Sequence, residues 1–248
     1  MSVSSLKPER IARYFSLEGA IAFLQTKKVH FTRLDKFSDL SEGFQNSFYG
    51  IDRAKHLFGM INSGYGHMPA SYIEKVLKRR ETDSRYREQV YASCWTACQH
   101  ESVALWNLYT DRAKGIIFWA DLDAILDGFK IPQIRHDFVT YRSYDVDLSD
   151  SSENEVVFTK SKHYDFEHEY RFVLDCNANK APSECELTER GFLVPTTISL
   201  KNTAITLGFG FDSWTLKSIK DLIAATGYPA EQVNVSEINW YPDLEKKL

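Results

Sequence analysis

Along the chain the apolar positions recur with two periods, about 2 and about 3.6 residues, and these mark out strands and helices in turn. Ile11 to Ser16 reads as a strand. Leu17 to about Lys27 reads as a helix with Leu17, Ala20, Ile21 and Leu24 on one face, and Val29 to Thr32 as the next strand. Phe37–Gly43 is expected to be a loop. Residues 44–69 hold four of the twelve glycines with no clear period, so an irregular stretch and a short helix around Ile51–Met60 both remain open. Ser71 to about Tyr86 has helical spacing, with Ser71 placed to cap it, Glu74 at the capping-box position, and Ile73, Val76 and Leu77 as the apolar stripe.

Gln89 to Ala97 reads as a central strand, followed by a short helix capped by Ser102 and carrying Leu105, Trp106 and Tyr109. The continuous run Gly115–Ala120 suits a strand buried on both faces. Asp121–Phe129 is a short helix with Asp121 as N-cap, and Phe138–Tyr144 a further strand. The acidic run 145–155 is a loop, and 145–156 and 176–188 are expected to be the most mobile parts of the chain, because they offer little apolar surface to bury. Phe158 to Leu174 reads as a turn or helical segment that delivers a strand. A polar loop spans 175–190. Gly191–Thr196 and Thr203–Leu207 are strands, Ser213 to about Thr226 is a helix stopped by Gly227, and Gln232–Ile238 is the last strand. The expected fold is α+β: one domain over residues 1–248 with a mixed, mostly antiparallel sheet and flanking helices.

Composition narrows the class. A chain of 248 residues, 43% hydrophobic and 14% aromatic, can build a core without disulfides or metals. Thirty basic and 34 acidic residues leave a net charge of −4, so the chain as a whole does not attract nucleic acid or anionic lipid. Residues 78–88 carry five basic side chains against three acidic ones, which reads as a solvated helix end. The longest apolar runs are too short for a bilayer, and the first residues lack the apolar core of a signal peptide. No membrane association and a cytoplasmic location are therefore expected, with the four cysteines as thiols.

The chemistry concentrates in Glu167-His168-Glu169-Tyr170-Arg171. On a strand, residues two apart share a face, so Glu167, Glu169 and Arg171 would lie together, with Tyr170, Phe172 and Leu174 turned to the core. Two readings follow. Arg171 bridges the two carboxylates on a solvated face, or the three line a polar cleft. Zinc is not expected, since a strand would hold Cys94 and Cys98 too far apart for one ion. No phosphate-binding loop, dinucleotide glycine fingerprint or nucleophile elbow is present, and Gly208-Phe209-Gly210 reads as a turn. Trp106 and Tyr109, three residues apart, would share a helix face, either as core or as a platform for a base or nicotinamide ring.

The order of these signals resembles a bacterial family known as domain of unknown function 2971. The resemblance rests on Ala12–Ser16, Phe37–Glu42, Cys94-Trp95-Thr96, Trp106 with Tyr109 and Gly115, Lys160, Glu167-x-Glu169-Tyr170-Arg171 and Ile205–Gly208; Ser38 and Leu40 depart from the family's Phe-Asn-Asp-Pro-Phe-Glu element. It implies a fold but no activity. A second resemblance, to ADP-ribosyltransferase-like domains, rests on Arg13 on a first strand, Phe31-Thr32 on the next, and Glu167-x-Glu169 later. It implies a transferase or hydrolase that uses NAD as substrate, of the kind found among toxins and phage-defence effectors. Glu169 would be the main catalytic residue, with Glu167 and Tyr109 supporting it. Arg13, Phe31, Thr32, Trp106 and Arg171 would hold the nucleotide, and a protein or nucleic acid would be the acceptor. Two alternatives stand beside it. One is a metal-dependent protein acting on nucleic acid, which needs a third carboxylate such as Asp39 or Glu42. The other is an interaction module in which the Glu-x-Glu-x-Arg motif is only structural.

Overall fold

Residues 7–39, 42, 70–142, 156–176 and 182–238 are described by the computed structural model, and everything below concerns them. The chain has the expected α+β fold. Its strands are β1 (Arg10–Ser16), β2 (Lys28–Arg33), β3 (Val90–Thr96), β4 (Gly115–Asp121), β5 (Ile134–Phe138), β6 (Thr140–Arg142), β7 (Thr159–Ser161), β8 (Glu169–Asp175), β9 (Glu186–Thr188), β10 (Gly191–Pro195), β11 (Thr203–Leu207) and β12 (Val233–Val235). The helices are α1 (Leu17–Thr26), α2 (Ala70–Arg87), α3 (Val103–Tyr109), α4 (Leu122–Gly128) and α5 (Ser213–Ala225), with short 3-10 turns between. No helix among the described residues is long and apolar enough to cross a membrane.

Ten strands form one mixed sheet whose pairs are antiparallel except β11 with β12, and β3 is its hub. One edge of β3 pairs with β8 along its whole length, from Val90↔Asp175 to Thr96↔Glu169, and β8 in turn pairs with β5. The other edge is divided. Its C-terminal end meets β1 at the single pair Ala12↔Thr96, and its N-terminal end meets β2 at Thr32↔Ala92 and Arg33↔Tyr91. Two arms therefore fork from β3, one running β1-β4-β11-β12 and the other β2-β10-β9.

One face of the sheet carries the main core. Ile11, Phe31, Tyr91, Trp95, Phe118 and Phe172 pack there against Phe23 and Leu24 of α1, Ile125 of α4, and Ile219 and Ile223 of α5. β4 is buried through Ala120, as its unbroken apolar run requires, because both of its faces are covered. The second face holds two smaller clusters. Trp106 of α3 packs with Ala12, Tyr14, Ile117 and Trp119, and Tyr86 of α2 packs with Leu34, Val90, Ala92 and Val173. Gly208 ends β11 where a Cβ would stand 1.9 Å from the Ala113 carbonyl oxygen, so the Gly-x-Gly element serves close packing.

Several boundaries differ from the sequence pattern. The strand expected at 138–144 is divided: β5 starts at Ile134 and pairs with β8, while β6 joins β7 in a separate parallel pair. β5 was hidden because Arg135, His136 and Asp137 break any apolar alternation; pairing to one edge alone makes it a strand. The expected polar loop at 175–190 contains β9, which pairs with β10 through Leu187↔Phe192. The last strand is three residues long rather than seven. The glycine-bearing stretch 43–69, the acidic run 145–155 and residues 177–181 lie outside the described residues, as do the proposed Ser71 cap and the Ile73, Val76 and Leu77 side chains.

Trp106 is fully buried, edge-on to Tyr14 at 5.1 Å between ring centroids, and its indole N–H donates to Glu101 Oε2 at 2.9 Å. Trp106→Ala is expected to cost about 3–5 kcal/mol, read as a lower urea midpoint with an unchanged slope. A midpoint equal to wild type would contradict this packing.

Candidate functional site

The segment between β7 and β8 positions the charged groups. Ser161 caps the 3-10 turn Lys162–Glu167 by accepting from the His163 amide, and His168 then takes a left-handed conformation with φ 44°. This reversal means that the strand starts at Glu169. Glu167 is therefore not on the strand face it was expected to share with Glu169 and Arg171. It is swung back over the same face by the turn and anchored there by Thr96 Oγ1, which donates to its backbone carbonyl at 2.7 Å.

The face is not solvated. Glu169 is 2% exposed, Glu167 5%, Arg171 0% and Glu42 2%, so an ion-pair network lies inside the protein. Arg171 grips Glu169 with two parallel bonds, Nε to Oε1 at 2.6 Å and Nη2 to Oε2 at 2.9 Å. Its Nη2 also reaches Glu42 at 3.0 Å, and its Nη1 donates to the Val157 carbonyl at 2.8 Å. Lys160 sits among three carboxylates, 2.7 Å from Glu167, 3.0 Å from Glu42 and 3.5 Å from Glu169. The tyrosine hydroxyl of Tyr109 donates to Glu167 Oε1 at 3.0 Å, and the Glu169 amide donates to Tyr141 Oη at 2.8 Å. Arg171 thus bridges Glu169 to Glu42, not to Glu167 as the simpler expectation had it.

Protonation follows from this wiring. Burial opposes the charge on Glu169, but Arg171 and then Lys160 outweigh it and hold the carboxyl down at about 2. Glu167 goes the other way: burial pushes it above the usual carboxylate range, against the pull of Lys160 and the bond from Tyr109. Burial also pushes the Tyr109 phenol up, helped by the charge on Glu167. Burial alone would discharge Lys160, yet Glu42 and Glu169 keep its ammonium charged. Glu42 does supply the third carboxylate that a metal reading requires, but the centre of the three carboxylates is filled by that ammonium.

A second polar centre lies where the sheet forks. Arg13 leaves β1 just beyond its single pair with β3. Its guanidinium donates to Ser93 Oγ at 2.6 Å and to the His30 carbonyl at 3.2 and 3.3 Å, tying three strands together. It also lies 5.0 Å from the Phe15 ring centre. No carboxylate among the described residues pairs with it, and burial lowers its pKa to about 10. On β2, His30 Nδ1 bonds Thr32 Oγ1 at 3.2 Å and Nε2 bonds Thr188 Oγ1 at 3.3 Å. Burial, then Arg13 and Arg190, hold His30 neutral with a pKa down to about 4.

The predicted site residues therefore separate. Ser93, which holds Arg13, and Cys94, opposite Arg171, are successive residues of β3 and face opposite ways, so Arg13 and Glu169 do not meet in one pocket. Glu167, Glu169, Tyr109 and Arg171 come together in the network; Arg13 and Thr32 come together at the fork through His30. Arg171, Trp106 and Phe31 are fully buried, which leaves them no surface for a nucleotide: Arg171 spends its donors on the network, Trp106 is in the second-face core, and Phe31 packs edge-on to Phe129. Trp106 and Tyr109 do not form a shared platform, since Tyr109 is 46% exposed and Trp106 is not exposed at all. Sequence reasoning missed Lys160 and His30 as members of these centres. Lys160 had appeared only as a matched position, and nothing local marks it as the ion that three carboxylates share. No family model matches the chain, and neither a curated protein nor a solved structure does.

The network makes two predictions about stability. Glu169→Gln leaves Arg171 without its bidentate partner and is expected to cost about 3–5 kcal/mol. Glu167→Gln, which removes a charge that burial already disfavours and keeps the shape of the side chain, is expected to cost about 1 kcal/mol; urea unfolding at neutral pH separates the two. The pH dependence follows from the directions. The lowered pKa of Glu169 contributes stability above its unfolded value of 4.5, and this is lost as pH falls towards about 2. The raised pKa of Glu167 contributes below its unfolded value and is lost as pH rises through the folded one. The acid limb of the stability curve should thus be shallower in Glu169→Gln than in wild type, and a limb of equal slope would refute the assignment.

Proposed function

We propose that this chain is an enzyme that uses NAD as substrate, transferring its ADP-ribose to a protein or nucleic-acid acceptor or to water, in the manner of ADP-ribosyltransferase-like toxins and phage-defence effectors. The observation that carries it is Arg13: a largely enclosed cation at the parting of β1 and β3, bonded to a hydroxyl and a carbonyl but to no carboxylate among the described residues. A cation so placed keeps its charge for an anion, and a dinucleotide's phosphates are anions that a guanidinium binds well. Thr32 and neutral His30 stand beside it on β2. The order of Arg13, Thr32 and the Glu-x-Glu element along the chain supports the same class.

The interaction-module alternative is favoured by one specific observation, the complete engagement of Glu169 and Arg171 with each other. A single assay separates the two. Purified protein incubated with NAD is expected to release nicotinamide. Arg13→Gln should raise KM for NAD at least tenfold while the thermal midpoint stays within a few degrees of wild type. A wild-type protein that neither binds nor cleaves NAD leaves the module as the better account.

A further inference from the structure

The two glutamates of the network are not equivalent, and their surroundings divide the chemistry between them. Glu169 has both oxygens on Arg171, is 2% exposed, and has Lys160 at 3.5 Å behind it. No face of its carboxylate is left for a substrate. Glu167 has one oxygen on Lys160 and the other on the hydroxyl of Tyr109, a residue that is 46% exposed. Tyr109 is thus the most exposed described member of this assembly, and its hydroxyl reaches the buried charges. Among the described residues, Glu167 shares the Lys160 ammonium with Glu42 and Glu169, while Arg171 is taken up by Glu169 and Glu42.

We propose that Tyr109 and Glu167 are the proton-accepting pair of this protein, with Tyr109 meeting the substrate, and that Glu169 is a positioning residue that holds Arg171. The groups facing Glu167 are Lys160 from β7, Glu169 and Arg171 from β8, Glu42, Tyr141 from β6 and Tyr109 from α3. Of these, Tyr109 alone among the described groups bonds it from a half-exposed position. The step rests on the NAD reading above. An acceptor hydroxyl or water at Tyr109 gives its proton to the phenolic oxygen as the phenolic proton passes to Glu167 Oε1. The freed oxygen electron pair forms a bond to the ribose anomeric carbon of NAD, the bond from that carbon to nicotinamide breaks, and nicotinamide leaves with the bonding pair, neutral. Glu167 ends as a neutral carboxylic acid and later returns its proton to solvent by the same route.

Two measurements on the full chain test this. In the first, without NAD, the glutamate carboxyl carbons are labelled with carbon-13 and titrated by NMR. One signal should titrate above the ordinary carboxylate range, vanish in Glu167→Gln, persist in Glu169→Asp and shift in Tyr109→Phe. A Glu167 signal titrating in or below the ordinary range, or unmoved by Tyr109→Phe, overturns the pair. In the second, nicotinamide release is followed against pH. Tyr109→Phe should lower kcat by about 10²–10⁴-fold with KM little changed. Glu167→Gln should remove the basic-group limb of the profile, and Glu169→Asp should keep that limb while lowering only the folded fraction. Wild-type turnover by Tyr109→Phe overturns the pair and leaves the NAD reading standing. Absence of turnover in wild type, with the NMR result intact, overturns the NAD reading and leaves the pair as the proton acceptor.

Discussion

Glu169 and Arg171, two residues apart on β8, form a bidentate ion pair inside the protein, and the second face of the sheet is arranged around it. Taking each charge out of water costs several kcal/mol, and attraction between the two offsets this only where the remaining lone pairs and protons are also satisfied. That requirement explains the rest of the assembly. The spare Arg171 donors need Val157 O and Glu42; Glu42 brings an extra negative charge that needs Lys160; Lys160 in turn holds Glu167. Segments from residue 42, from β7 and from the turn before β8 are thereby fixed together without a large apolar surface between them. The two small apolar clusters of this face lie on either side, one around Trp106 and the other around Tyr86 and Val173.

The main core on the opposite face follows a simpler rule, burial of a continuous aromatic and aliphatic layer beneath α1, α4 and α5. Its one irregularity is the fork at β3. A strand whose edge is shared between two diverging neighbours leaves backbone carbonyls without ladder partners, and such groups are costly when enclosed. Arg13 answers this by donating to the His30 carbonyl from across the gap. A single side chain thus completes the hydrogen bonding of the fork and places a positive charge in it.

The two polar centres stand on opposite faces of the same strand, one reached from Ser93 and the other from Cys94. They are linked through β3 itself, in which Ser93 and Cys94 are consecutive residues. A substrate that places phosphates at the fork and an acceptor group at Tyr109 would use both. This division suits a reaction in which anion binding and proton transfer are carried by different elements held to one rigid strand.

Much of the framework was legible in local pattern. The amphipathic spacing of Leu17–Thr26, the apolar run of Gly115–Ala120 and the alternation of Tyr170, Phe172 and Leu174 each specify an element and its buried side, because period and burial are coupled in helices and strands. The order of Arg13, Thr32 and Glu167-x-Glu169 was equally visible. What no local signal carries is long-range pairing. The αL turn at His168 took Glu167 off the strand. The fork at β3 turned Arg13 away from Glu169, and the approach of Glu42 and Lys160 from distant segments turned an apparent surface pair into a buried network. Each of these depends on which strands meet at β3, and that is settled by the packing of the whole chain: a charged side chain reads the same in sequence whether water or three carboxylates surround it.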